Sequence, residues 1–434
     1  MNIVQITPGA GKMFCGNCFR DNALVRYLRT LGHSVTMVPL YLPMNLDEES
    51  QHRATPIFFS GINVYLGQKS ELFRNAPRWL RNVLASPKLL ELAAVQAGKT
   101  RADGLGEITL SMLRGEEGNQ ARELDELIAW LKTNERPDVV SLSNVLLVGM
   151  ARKIKAELGV PVICSLQGED SFLDGLSPDF RKLAWKVTAE RALDIDYFIA
   201  PSRYFAELMS RRLHIPHEKI KVVYNGINLE GFKGLSAQTA TPTLGYFARM
   251  CPEKGLHLLI DAFLELKKRG HTDLKLKVGG SCGPADEPFV AEQREKLNAA
   301  NVLRDAEFFP NITRDDKIKL LSSLTVFSVP ALYGEAFGLY IIEAMAAGIP
   351  VVQPDHAAFP ELLELTGGGI LTSPNATALA DGIESLLRNP SKARELGEVA
   401  RKKTHEEFNA QRMAEHFSKA CAHAVAQFPM ANRK

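Results

Sequence analysis

The feature that most constrains this chain is a repeated change of rhythm. Short apolar runs alternate with longer stretches whose apolar residues recur at helical spacing. In the second half the runs are Thr243–Ala248, Leu274–Val278, Ala306–Phe309, Thr325–Val329 and Pro350–Gln353, with helices predicted between them. In the first half they are Asn2–Thr7, Ser34–Val38, Asp138–Ser143, Pro161–Leu166, Asp196–Ala200 and Ile220–Tyr224. Helices are predicted over Cys18–Leu31, Val145–Leu158, Pro178–Leu193 and Arg203–Leu213. Strands and helices alternating on this spacing make a parallel sheet covered on both faces. A chain of 434 residues is too long for one ordinary core. The expected fold class is therefore α/β, two doubly wound Rossmann-like domains facing across a cleft that holds the ligand.

Residues 325–350 carry the densest chemistry. The run Thr325–Val329 reads as a buried strand, and Pro330 to Gly334 supplies turn residues. A helix is predicted to open near Phe337–Gly338 and run to Ala347, with Gly348 past its end and Pro350 barring continuation. Free N–H groups at such a terminus favour an anion. Glu335 before the first turn and Glu343 inside the helix look wrong for a phosphate alone. They suit hydroxyl partners, because a carboxylate accepts from two sugar OH groups at once. The bland readings are a dipole-favoured acid for Glu335 and an exposed helical charge for Glu343. The second fits poorly with Ile341, Ile342, Ala344, Met345 and Ala346 around it, since an acid buried there without a partner is costly.

A second cluster lies at the tip of the first strand of the second half. Arg249 and Lys254 follow Gly245-Tyr246-Phe247-Ala248, just before a helix predicted over His257–Lys268. Two cations beside a helix N-terminus are suited to a diphosphate, although exposed cations are usually only solvated.

Composition excludes several classes. A hydrophobic share of 45% and a charged share of 24% are those of a soluble globular protein. The net charge of +2 speaks against nucleic-acid binding driven by bulk charge. The first residues enter a strand with no leader-like segment before it, and no apolar stretch is long enough to span a bilayer, so a cytoplasmic protein is expected. Six cysteines at 15, 18, 164, 251, 282 and 421 are expected as reduced thiols. Cys15-x-x-Cys18 fits a redox motif or a small-residue turn, and the turn is favoured. Gly11 to Gly16 begins like a P-loop, but no Lys-Ser/Thr follows. Residues 57–66 are read as a strand pair around Ser60-Gly61. The basic amphipathic stretch 69–88 is a candidate for peripheral membrane contact or acceptor binding, against a solvated helical insertion.

Together these motifs resemble the retaining nucleotide-sugar glycosyltransferases of family 4. The resemblance rests on Glu335-x7-Glu343 within Gly-Glu-Ala-Phe-Gly-Leu, Ala-x-Ala-Ala-Gly-x-Pro from Ala344 to Pro350, and Gly245-Tyr-Phe-Ala-Arg249 with Lys254-Gly255. Leu259-Ile260-Asp261-Ala262-Phe263 and the turn Asn225-Gly226-Ile227-Asn228 add to it. It implies the GT-B architecture: an acceptor domain over 1–228, a linker over 229–242, a donor domain over 243–408, and a last helix, 409–434, packing back on the first domain.

The resemblance further implies that Arg249 and Lys254 hold the donor's pyrophosphate and that Glu335 meets hydroxyls of the donor sugar. The amides of Phe337, Gly338 and Leu339 would meet sugar and phosphate, and Glu343 the ribose. Asn311 and Ile312 fall where such enzymes touch the base, and Gly16 where a backbone N–H approaches phosphate. No metal or other cofactor is expected. The acceptor, whether glycan, lipid or small molecule, is not specified, and neither is any membrane association at the cytoplasmic face. The chain departs from the family pattern in three places. Gln167 stands where many members carry a His near the reacting carbon, with Glu169 or Asp170 as alternative participants or caps. Cys15-Gly16 replaces Gly-Gly, and His356-Ala357-Ala358 replaces Gly-Gly before Pro360-Glu361. The rival readings are a sugar-nucleotide epimerase of the same fold, a non-catalytic sugar-nucleotide-binding protein and a CxxC redox protein.

Overall fold

The computed structural model describes residues 1–9, 16–42, 44, 46, 48–52, 55–59, 68, 105–232 and 241–429. Cys15, the stretch 69–88 and most of the 57–66 and 229–242 segments lie outside the described residues. Where 57–59 is described it is turn and irregular backbone, not strand. The chain divides into two compact units. Unit 1 is Met1–Tyr224 with Gln411–Lys434, and unit 2 is Asn225–Ala410.

Unit 1 is built on β1 (Asn2–Thr7), β2 (Ser34–Pro39), β3 (Val139–Leu142), β4 (Val162–Ser165), β5 (Tyr197–Ala200) and β6 (Ile220–Val222). These form one sheet in the order β2-β1-β3-β4-β5-β6, and every pairing is parallel. β3 and β4 are buried at all four positions. That explains why they read as continuous apolar runs rather than as alternation. The order of strands reverses direction between β1 and β3, the place where open parallel sheets hold ligands.

Unit 2 carries β7 (Thr243–Phe247), β8 (Lys275–Gly280), β9 (Ala306–Pro310), β10 (Val326–Phe327), β11 (Val351–Pro354) and β12 (Gly369–Thr372). Its order is β12-β11-β10-β7-β8-β9, parallel throughout. Counted from β7 this is the doubly wound nucleotide-binding order, and its switch point lies between β7 and β10. β10 is shorter than its apolar run predicts. Single bonds from Thr325 N to Thr243 O (2.8 Å) and from Ser328 N to Gly245 O (3.0 Å) extend its contact with β7 on either side, before Pro330 ends it.

Several helices differ from expectation for local reasons. Val145–Met150 is a 3₁₀ turn that leads into the α-helix Ala151–Leu158. Gly149, whose added Cβ would fall 2.3 Å from the Met112 carbonyl oxygen, marks the close packing that tightens it. Cys18 lies inside the helix Gly16–Thr30, as the helix predicted over Cys18–Leu31 has it, and is fully buried; the turn reading of the Cys15-x-x-Cys18 pair falls on Cys15, outside the described residues. The short helix Glu169–Asp174 and strand β12 were not foreseen, each being too short for periodicity to show. The helix Ala410–Gln427 packs in unit 1, its His423 ring 5.0 Å from Tyr197. Phe428 just beyond it lies 5.9 Å from the Lys155 ammonium.

Candidate active site

The loop after β7 and the loop after β10 meet at the switch point of unit 2. Cys251 precedes a single 3₁₀ turn, Pro252–Lys254, and Gly255 then opens the helix Leu256–Lys268. Gly255 has φ +71, and a Cβ there would lie 1.9 Å from the Pro330 carbonyl oxygen. Only glycine allows that left-handed turn so close to another backbone. Leu332 N donates to Glu253 O at 3.0 Å, which locks the two loops together.

That contact delivers Lys254 to Glu335. Lys254 Nζ lies 2.6 Å from Glu335 Oε2 and also donates to the Tyr333 hydroxyl. The same Oε2 accepts from Tyr333 OH at 3.0 Å and from Tyr340 OH at 2.8 Å. Three donors therefore converge on one oxygen of a carboxylate that is 9% exposed, while Oε1 makes no hydrogen bond among the described residues. Burial alone would raise this carboxyl, but the Lys254 charge and the three hydrogen bonds outweigh it and hold it below the usual glutamate range. Tyr340, buried beside that charge, is pushed well above the usual phenol range, first by burial and then by Glu335. The ammonium also sits over the rings of Tyr333 (4.8 Å) and Tyr340 (5.2 Å), a cation–π arrangement.

Glu343 shows the same half-used pattern one turn deeper. Lys317 Nζ donates to its Oε1 at 2.8 Å, and Oε2 has no hydrogen-bonding partner among the described residues. Lys317 is 8% exposed, so this is a nearly buried pair and not the solvated helical charge of the bland reading. The helix Leu339–Ala346 starts one residue later than predicted, with Gly338 (φ +95) as its cap residue and Gly348 (φ +84) past its end as expected. The amides of Leu339 and Tyr340 lead this helix and have no acceptor within it. Phe337 is buried and stacks toward Phe408 at 6.0 Å.

Arg249 is held by a residue the sequence did not flag. Its Nε and Nη2 donate to the buried Asp286 at 2.9–3.1 Å, and Asp286 also accepts Gly283 N at 3.0 Å. A guanidinium gripped on one edge by a carboxylate keeps its other edge for an anion. Asn311 (φ +56) spends its amide on the Cys282 peptide, accepting from N at 3.0 Å and donating to O at 2.9 Å. Ile312 is half-buried beside it. Gln167 and Gly16 belong to unit 1, Gly16 exposed at the first position of its helix. Glu169, the alternative to Gln167, accepts from two main-chain amides, as described below.

Tyr333, Tyr340, Lys317 and Asp286 complete the site and were missed. A signal existed for Asp286, an Asp one residue from a Glu-Pro helix start. Lys317 is separated from Glu343 by 26 positions, and no pattern in a sequence joins them.

Among the described residues no group of three or more His, Cys, Asp or Glu is placed to hold a metal ion, and no helix is long and apolar enough to cross a membrane.

Residues 230–403 match the family model described as glycosyl transferases group 1, and residues 107–230 that of Glycosyltransferase Family 4. An uncharacterized glycosyltransferase of Bacillus subtilis (strain 168) is 27% identical over 62% of this chain and 74% of its own length. A phosphatidyl-myo-inositol mannosyltransferase of Mycobacterium leprae is 30% identical over 38% of this chain and 43% of its own length. The match thus spans less than half of that second relative. Among solved structures, sucrose-phosphate synthase from Thermosynechococcus elongatus superposes with a TM-score of 0.70 at 18% identity, covering 98% of this chain and 99% of that one. Anabaena HepE in complex with UDP and glucose gives 0.66 at 17% identity, covering 97% and 99%. At these identities the two structures speak for the fold.

Proposed function

The chain belongs to the GT-B glycosyltransferase superfamily, and from that membership we propose that it is a retaining hexosyltransferase, moving a hexose from a nucleoside-diphosphate sugar to an acceptor hydroxyl. One observation carries the reading. Glu335 and Glu343 each give one carboxylate oxygen to a lysine and keep the other without a partner among the described residues. A carboxylate fixed in this way is a preorganised acceptor for sugar hydroxyls. The structure of HepE in complex with UDP and glucose supports a nucleotide sugar as the donor class.

In this scheme the acceptor hydroxyl attacks the anomeric carbon and the bond to the diphosphate breaks. Charge growing on the leaving diphosphate is met by the free edge of Arg249, by Lys254 and by the amides that lead the helix Leu339–Ala346. A phosphate oxygen takes the acceptor's proton, so no protein base is required. Glu335 orients the sugar, Glu343 the ribose, and Gln167, standing where the family resemblance puts a His, serves the transfer as a neutral hydrogen-bonding group. The protein's cations do the neutralising, and a chelator is expected to leave turnover unchanged.

The first test is a thermal-shift screen with UDP-, GDP- and ADP-hexoses, since a ligand at ~100 times its dissociation constant adds about 2.7 kcal/mol. The donor that shifts the transition is then incubated with candidate acceptors. Acceptor-dependent release of nucleoside diphosphate, with the anomeric configuration kept in the product, is expected. An isomerised donor with no diphosphate released would make the protein an epimerase, and binding without either reaction would make it a sensor.

A further inference from the structure

We propose that Glu169 is a positioning residue for the transfer reaction, fixing the main chain of Gln167 by joining the loops at the tips of β3 and β4. The inference rests on the proposed function, in which Gln167 takes part in the transfer as a neutral hydrogen-bonding group. Glu169 is 5% exposed. Its Oε1 accepts the Val145 N–H at 2.9 Å and its Oε2 accepts the Gln167 N–H at 2.7 Å. Val145 opens the 3₁₀ turn that follows β3, directly after Asn144, whose own side chain accepts from Leu146 N. Gln167 stands two residues past β4, where the last sheet-like bond is Leu166 N to Ile199 O at 2.8 Å. Gly168 then turns left-handed, φ +97, to start the helix on which Glu169 sits. The carboxylate thus reaches back over its own turn and pins the residue two positions before it.

The chemistry of the donors explains why this residue is a carboxylate. Two N–H groups from different loops aim at one buried side chain, and an ionised carboxylate accepts with both oxygens and donates with neither. A glutamine of the same shape offers one oxygen and one NH₂, so one backbone donor would face another donor. No cation pairs with Glu169 among the ion pairs of the described residues; it interacts electrostatically with Asp170 on its own helix and Cys164 on β4, and Arg20 also acts on Cys164. Burying a carboxyl against backbone amides with no cation beside it is costly, and an apolar side chain would fill the space at lower cost if the loops had no work to do. Burial pushes its carboxyl up to about 7, consistent with a site that has no neutralising partner.

The test uses the full chain and steady-state transfer kinetics. Glu169→Gln is expected to lower kcat by roughly 10- to 100-fold, the factor of one lost and one opposed buried hydrogen bond, with donor KM held within about 2-fold because the donor's own contacts lie elsewhere. Gln167→Ala should cost far less in the Glu169→Gln background than in the wild type, since both act through one group. Hydrogen exchange at the Val145 and Gln167 amides should speed up in Glu169→Gln. Glu169→Asp, one methylene shorter and able to reach one amide, should fold and show the same kcat loss if the Gln variant does not fold. Wild-type kcat in either variant, or losses that multiply fully with Gln167→Ala, overturns the proposal. If the wild type releases no diphosphate from any donor while exchange at both amides still depends on Glu169, it is the proposed function that has failed.

Discussion

Lys254 Nζ and Glu335 Oε2 stand 2.6 Å apart although their residues are separated by 81 positions, and the two loops that bring them together meet at the Leu332 N–Glu253 O bond and at the close Gly255–Pro330 approach. A cation expected for phosphate and an acid expected for hydroxyls hold each other while each keeps capacity for a ligand. This favours a site assembled before substrate arrives. Mutating one partner leaves the other charge poorly compensated.

That pairing sets the first expected outcome. Glu335→Ala and Lys254→Ala should each lower transfer by on the order of 100-fold or more, the usual cost of a preorganised charged group. In denaturant titrations the double variant should be more stable than the sum of the single losses allows, by roughly 0.5–3 kcal/mol. Strict additivity would mean the pair is not coupled in solution.

Gly255→Ala tests the contact itself. The new Cβ would fall 1.9 Å from the Pro330 carbonyl oxygen in a left-handed turn, so one of the loops must move. A loss of roughly 1–3 kcal/mol is expected from the clash and the disfavoured backbone, together with loss of transfer. Calorimetry and turnover on the same preparation check both.

Ala357 gives a prediction of opposite sign. It adopts φ +56, a left-handed conformation that costs a non-glycine residue about 1–2 kcal/mol. Its neighbour Ala358 donates its N–H to the Glu335 carbonyl at 3.2 Å. This is where the family pattern has Gly-Gly, and Ala357→Gly should stabilise the protein by up to about 1 kcal/mol after the entropy gained by the unfolded chain is subtracted. A lower melting temperature would show that the strain is absent.

Two glutamates should move stability with pH in opposite directions. Glu335 is held below its ordinary value of 4.5, so its contribution is present above pH 4.5 and is lost as pH falls through its folded pKa. Glu169 is raised to about 7, so its contribution is present below pH 4.5 and is lost as pH rises toward and through 7. Urea midpoints of Glu335→Gln against wild type should converge on acidification. Those of Glu169→Gln should shift in favour of the variant between pH 4.5 and 7. A constant gap in either series contradicts the assignment.

Glu343→Gln should raise donor KM by roughly 10- to 100-fold with little change in kcat, as expected when a hydrogen bond to a charged group made equally in ground and transition states is weakened. Donor titration followed by initial rates separates the two. An unchanged KM would remove Glu343 from the donor site.

Most of the order of elements along the chain, apart from the short helix Glu169–Asp174 and β12, was determined by sequence alone, because a residue period of two or of 3.6 and the turn residues between are local properties. So Gly348 fell past the end of its helix as expected, and Glu335 and Glu343 were identified as a pair by spacing within one unit. What only the tertiary structure decided was which distant group answers each charge. Asp286 orients Arg249, Lys317 meets Glu343, two tyrosines share one oxygen of Glu335, and two loop amides claim Glu169. A buried charge must find its compensation wherever packing brings a partner, and strand order, not sequence distance, sets where that is.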